Sequence, residues 1–342
     1  MIVIIRWIRL LISCCLLLLF VFCAINYKVS VYLCYQAKGQ LHVLFNKQTL
    51  SEFEKENVLS QVEKENISLV EKIKKYSVDS LAYKVTNNFT EVYNQKNAPI
   101  LWVITASEPY ALKAYEWTFP VVGKVSYKGF FIKELAEKEY NRLKSAGYDA
   151  DLETVSAWST LGWFKDPLLS SMLKKSKGGL CNLLFHELFH ATYYAPNSVD
   201  FNENIASFIA HNATIQFLKT DTASLSEYLS NYNSNLNYNK FMLRQNVYLK
   251  KLYQKIKRDP SRLLLKLKAI STIADSLENL PGNNAARTKA RQSEILNSQN
   301  ACFIDFEQYD SKQDSLEKVF NKIYKGNLKK LVQDLKRNQI NY

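Results

Sequence analysis

The sequence predicts an α+β chain, predominantly helical, with a small β-sheet before its midpoint. Three observations lead there. Glycine and proline are scarce, at 9 and 7 of 342 residues, which leaves room for few tight hairpins. Long Lys/Glu/Leu-rich stretches space their apolar residues three and four apart, as amphipathic helices do. Short β-prone runs bounded by turn residues cluster between residues 98 and 164.

The N-terminus opens the chain with an apolar segment. Leu10 to Ile25 reads LLISCCLLLLFVFCAI without a charge, and MIVII, Trp7 and Ile8 extend it outward. About 20 helical residues span a bilayer core. Arg6 and Arg9 precede the run, so an uncleaved single-pass anchor over residues 1–30 is expected, with the body facing outward. A cleaved signal peptide is its rival, but the apolar region is long and no small-x-small cleavage site follows it cleanly.

Beyond the anchor, YQAKGQLHVLFNKQTL through YSVDSLAYKV reads as two or three helices. Ile100 to Thr105 is a strand; EWTFPVVGKVSYKGFF is a second strand region, broken by Pro120 and Gly123. IKELAEKEYNRLKSAGY is an amphipathic helix ended by Gly147. ADLETVSAWSTLGW is a third extended segment, and KDPLLSSML a turn and short helix. Gly178-Gly179 opens the next helix, which Pro196 and Asn197 are expected to stop. Asp200 or Asn202 would cap the helix after it. Long helices fill the remainder, so the expected division is an anchor at 1–30, a catalytic region at 31–220 and a helical region at 221–342 packed on it.

The formal charge is +13, yet the basic residues alternate with apolar ones at helical spacing and no nucleic-acid module is present. Solvated helix faces explain the pattern, and attraction to an anionic membrane surface is the next reading. Of six cysteines, Cys14, Cys15 and Cys23 fall in the anchor and Cys34 just after it. Cys181 and Cys302 alone belong to the body, which excludes a disulfide framework and a cysteine zinc site.

Three of the four histidines lie between Leu183 and Asn212. His186 and His190 flank Glu187 in H-E-L-F-H. Four residues apart on a helix, the two imidazoles share one face and can meet one ion. Glu187 lies about 100° round from His186, placed to take a proton from a water at that ion. Catalytic zinc takes three protein ligands and keeps one position open. Tyr193 and Pro196 stand where the metzincin pattern needs glycine and histidine. Glu203, in the first turn of the following helix, is the better third ligand, and His211 is its rival. Ala206, Ser207 and Ala210 are small enough to let the helices approach. Asp200 could orient a histidine from behind, Cys181 is a small core residue, and His42 an ordinary one. Tyr193, Tyr194, Tyr127 and His211 are all candidate donors to an oxyanion. The extended segment Ser156 to Trp163, with Trp158, Ser159, Thr160 and Gly162, offers an edge on which a peptide backbone could add as a strand.

FPVVGKVSYKGFF, GYDADLETVSAWSTLGWFKDPLL, LLFHELFHATYY and DFNENIASF, in that order, together with NNAARTKA from Asn283, resemble the bacterial "predicted aminopeptidase" family. The resemblance implies a zincin-like, gluzincin-type metallopeptidase outside the bacterial inner membrane, in the periplasm. It places one Zn2+ per chain on His186, His190 and Glu203, with Glu187 as base and a peptide as substrate. The chain departs from the family pattern at Phe189, Lys124 and Ala157-Trp158. A zinc endopeptidase, and a zinc-binding scaffold without turnover, are the competing expectations; the sequence says nothing of oligomeric state.

Overall fold

The computed structural model describes residues 2–119, 123–155, 165–196, 198–282, 284–304 and 313–338. Helices α1 (Ile2–Ile25) and α2 (Tyr27–Phe45) lead into strand β1 (Lys47–Thr49), then α3 (Leu50–Glu56) and α4 (Gln61–Asp79). Strands β2 (Glu91–Tyr93), β3 (Trp102–Ser107), β4 (Trp117–Phe119), β5 (Gly123–Val125) and β6 (Tyr127–Phe130) precede α5 (Lys133–Ser145). After β7 (Asp149–Thr154) and β8 (Leu168–Leu169) the chain is helical: α6 (Lys177–His190), α7 (Val199–Phe217), α8 (Thr222–Lys255), α9 (Arg262–Asp275), α10 (Ala285–Ser298), α11 (Gln313–Tyr324) and α12 (Leu328–Asn338).

The α+β, mostly helical expectation holds, but among the described residues the strands divide into three small sheets, β1-β2-β8, β6-β3-β7 and the hairpin β4-β5. The first has no counterpart in the expectation. Its strands have only two or three residues, too few for a period-2 pattern to register. Among the described residues no helix is long and apolar enough to cross a membrane. The expected transmembrane anchor is therefore not shown; helix α1 occupies most of that segment.

Helix starts follow capping chemistry. Thr49 with Glu52, and Ser60 with Glu63, form reciprocal capping boxes at α3 and α4. Helix α5 ends at Ser145, and Gly147 at φ +86° turns the chain into β7 where a side chain would be strained. The NNAARTKA stretch has a mechanical role: Asn284 caps α10, and Arg287 donates to Ser234 Oγ and Asn231 Oδ1 on α8.

Among the described residues, three apolar clusters organise the body. The largest joins α4, α6 and α7 to the β1-β2-β8 sheet and to Phe320, Leu328, Leu331 and Val332 of α11 and α12. The end of the chain thus returns to the middle. A second cluster unites α8, α9 and α10, and a third packs α5 on β3 and β7. Polar groups join these two. Lys266 Nζ donates to Asp149 Oδ2 at 2.5 Å, and Ser298 Oγ donates to Asp151 Oδ1 at 2.6 Å. Lys266 and Asp149 are both buried, so each charge depends on the other.

Candidate metal centre

Helix α6 is apolar almost all round. Leu180, Cys181, Leu184, Phe185, Leu188 and Phe189 are buried, which leaves one edge for its polar side chains. Ser176 caps it by accepting from Gly179 N at 3.3 Å. Gly178 permits a close approach to α8, because a Cβ there would lie 2.5 Å from Tyr228 Cβ. Pro196 and Asn197 do not end the helix. It stops earlier, at His190, and Thr192 N donates to Phe189 O at 2.8 Å in the closing turn.

The turn to α7 is held by Asn202. Its side-chain amide accepts from Ala195 N and donates to Ala195 O, both at 2.8 Å. Neither Asp200 nor Asn202 is the N-cap: Ser198 holds that position without a side-chain bond. Asp200 sits in the first turn, where its charge suits the helix dipole. Asn202 has the stronger demand on it, since the part-buried Ala195 peptide groups need partners within a short loop.

This turn brings Glu203 back onto the histidines. His186 Nε2 and His190 Nε2 stand 3.0 Å apart. Glu203 Oε2 lies 3.2 Å from the first and Oε1 3.4 Å from the second. Among the described residues this is the single set of three or more His, Cys, Asp or Glu ligand atoms gathered within 4.8 Å. His211, the rival, is outside it. Its Nδ1 meets Tyr228 Oη at 2.9 Å, its ring stacks on Tyr232 at 3.7 Å, and burial pushes its pKa down to about 4.

The separations can be set against an ion. Tetrahedral zinc with bonds of about 2.0–2.1 Å requires donor–donor distances of about 3.3–3.4 Å. The two imidazole nitrogens at 3.0 Å, and the Glu203 contacts of 3.2 Å through Oε2 and 3.4 Å through Oε1, are each near that size. The carboxylate spans the two rings with its two oxygens, and one donor atom from each residue falls within 4.8 Å of the others. The donors are two imidazole nitrogens and one carboxylate, a set suited to zinc with a position left open. The contacts to His186 and His190 hold the Glu203 carboxyl down at about 2, against the opposing effect of its burial. Burial raises the pKa of Glu187, and neighbouring Glu203 and Asp166 push the same way; His186 and His190 oppose them.

The other expected residues fare differently. The Tyr193 ring packs near Phe189 and Phe201, with centroids 5.9 and 6.4 Å away. Tyr194 is exposed, and Tyr127 lies on β6 opposite Thr105. Cys181 is buried in the core, as expected. Trp158, Ser159, Thr160 and Gly162 lie outside the described residues, as does the whole of the expected substrate edge, residues 156–163. Strand β7, which leads towards it, is an edge of the β6-β3-β7 sheet.

The sequence assigns no polar role to two residues near the cluster, and Ser207 enters it only as a small residue that lets the helices approach. Asp166 is buried close enough to Glu187 to raise its pKa. The signal was the one carboxylate in the largely apolar stretch TLGWFKDPLL. Ser207 Oγ lies 3.4 Å from His186 Nδ1; its four-residue offset from Glu203 was the available clue.

Fold and cluster together define a mostly helical α+β protein with, among the described residues, one cluster of two histidines and a carboxylate between consecutive helices. The chain belongs to the family described as "putative aminopeptidase", whose model matches residues 31–339. That description is of a peptidase, a hydrolase of peptide bonds. No curated protein and no solved structure matches the chain.

Proposed function

We propose that the chain is a zinc-dependent peptidase of the aminopeptidase type, with His186, His190 and Glu203 holding the ion. The observation that carries this reading is the cluster of two imidazole nitrogens 3.0 Å apart, bridged by the Glu203 carboxylate at 3.2 and 3.4 Å, next to Glu187. A zinc ion held by these three residues would supply Lewis-acid polarisation to the scissile carbonyl and to water. Glu187 acts as general base: its carboxylate takes the proton of the attacking water and passes it to the departing amine. Burial of Glu187 favours the form that has accepted the proton, which suits this exchange. His186 and His190 would each offer an Nε2 lone pair, and Glu203 would contribute the one negative charge of the ligand set.

Two measurements on the full-length chain test this together: metal content, and cleavage of a peptide panel offered with free and blocked N-termini. Stoichiometric zinc with faster cleavage of free N-termini is the expected result. Zinc binding without cleavage of any peptide removes the peptidase reading, and equal cleavage of blocked and free peptides makes it an endopeptidase.

The N-terminal helix supports a second element of the proposal, attachment to a membrane with the body on the far side from Arg6. Leu10–Ile25 carries no charge, and Trp7, Leu10, Leu17 and Ile25 of α1 are exposed. Co-flotation with lipid vesicles that is lost on removing residues 1–25 is expected; flotation unchanged by that truncation refutes it.

A further inference from the structure

Helix α7 addresses both sides of the His186 ring. Nε2 faces Glu203 Oε2 at 3.2 Å, while Nδ1 faces Ser207 Oγ at 3.4 Å. Residues four apart on a helix lie on one face, so the carboxylate and the hydroxyl come from adjacent turns of one ridge. The next residue of that ridge, His211, is engaged elsewhere. It meets Tyr228 Oη, which also accepts from Asn182 Nδ2 of α6. The face between the two helices is therefore divided. Glu203 and Ser207 meet His186, and one turn on, His211 and Asn182 meet Tyr228.

A neutral imidazole has one N–H and one lone pair. If Nε2 keeps its lone pair for a cation, the proton resides on Nδ1, and Ser207 Oγ is the acceptor that the geometry provides. Outer partners of this kind orient a ligand histidine, and anionic ones also raise its basicity. Serine can do the first but adds no charge. Among the described residues, Glu203 is the carboxylate in contact with the two rings.

We propose that Ser207 is a positioning residue for the metal centre. It fixes the ring and tautomer of His186 by accepting Nδ1–H, and its neutrality adds no negative charge behind a ligand set whose one anion is Glu203. The inference rests on the metal-centre reading above. A centre so built gives up some hold on its ion and keeps more of the ion's positive charge for polarising a substrate. A carboxylate at position 207 would reverse both effects.

The test is zinc affinity of the full-length protein, measured by competition with a chromophoric chelator, for wild type, Ser207→Ala, Ser207→Thr, Ser207→Asp and His186→Ala. Ser207→Ala is expected to weaken zinc binding about tenfold or more, and Ser207→Thr, which keeps the hydroxyl, to restore it to within about threefold. Ser207→Asp is expected to bind zinc more tightly than wild type, a gain that a purely packing role for Ser207 would not produce. Wild-type affinity in Ser207→Ala, with binding lost in His186→Ala, overturns the positioning role and leaves the metal centre standing. Absence of stoichiometric zinc from wild type overturns the metal centre itself.

Discussion

Asn202 grips the peptide groups of Ala195 from both sides, accepting from its N–H and donating to its carbonyl at 2.8 Å each. This pairing fixes the turn between α6 and α7 one residue before Glu203. The position of the third candidate ligand therefore depends on a side chain that is not itself a ligand.

Replacement of Asn202 by alanine leaves two backbone groups of a part-buried loop unpaired. A loss of about 2 kcal/mol is expected, since orphaned buried polar groups cost about 1–3 kcal/mol each and water can reach part of this loop. Thermal denaturation measures the loss. Zinc affinity should fall with it, because Glu203 is released from its register.

Glu187→Gln keeps the shape of the general base and removes its ability to accept a proton. Peptide hydrolysis is expected to fall about 10²–10⁴-fold, the usual range for a positioned acid–base group. Zinc content should stay at wild-type level, because Glu187 is not among the three converging donors. Steady-state cleavage and metal analysis of the same preparation check both halves.

His211 supplies a pH signature. Burial lowers its pKa from 6.5 to about 4. Between those values the unfolded chain holds a proton that the folded chain refuses, so stability falls as pH drops from 6.5 towards 4. Above 6.5 both states are neutral and the contribution is constant. Denaturant unfolding of wild type and His211→Phe across this window should show a shallower slope in the variant; parallel curves would remove His211 as the source.

Lys266→Met strands the Asp149 carboxylate in the interior. Removing one member of a buried pair costs about 3–5 kcal/mol. Asp149 also accepts from Asn300 N at 3.1 Å, so the junction between the α8–α10 bundle and the β6-β3-β7 sheet loosens as well. The midpoint of denaturation should drop accordingly, and a wild-type midpoint would show that Asp149 finds another partner.

Much of the candidate site was legible in the chain. His186 and His190 share a helix face because four residues make slightly more than one turn, and that holds wherever the helix sits. Glu203 was legible for a related reason: the intervening loop is short enough to return the second helix alongside the first. The helical majority followed from apolar spacing and the scarcity of glycine and proline. Harder to see were the short pieces. Strands β1, β2 and β8 have no periodicity of their own and exist because their neighbours complete the hydrogen bonding. Likewise, Asn202 resembled a cap by position, whereas the loop's own peptide groups claimed its amide.

The sequence by itself determined the donor types, their spacing along two consecutive helices, and the adjacent carboxylate of Glu187. All of these are local properties, set by helix pitch and side-chain chemistry. Only the tertiary structure decided which face of α7 meets α6. That choice puts Glu203 and Ser207 on His186 and sends His211 to Tyr228 and Tyr232. The physical reason is packing. Gly178 lets α8 approach α6, Asn202 sets the turn, and the buried faces of α7 rest against α11 and α12, so the rotation of α7 is fixed by contacts far from it in sequence.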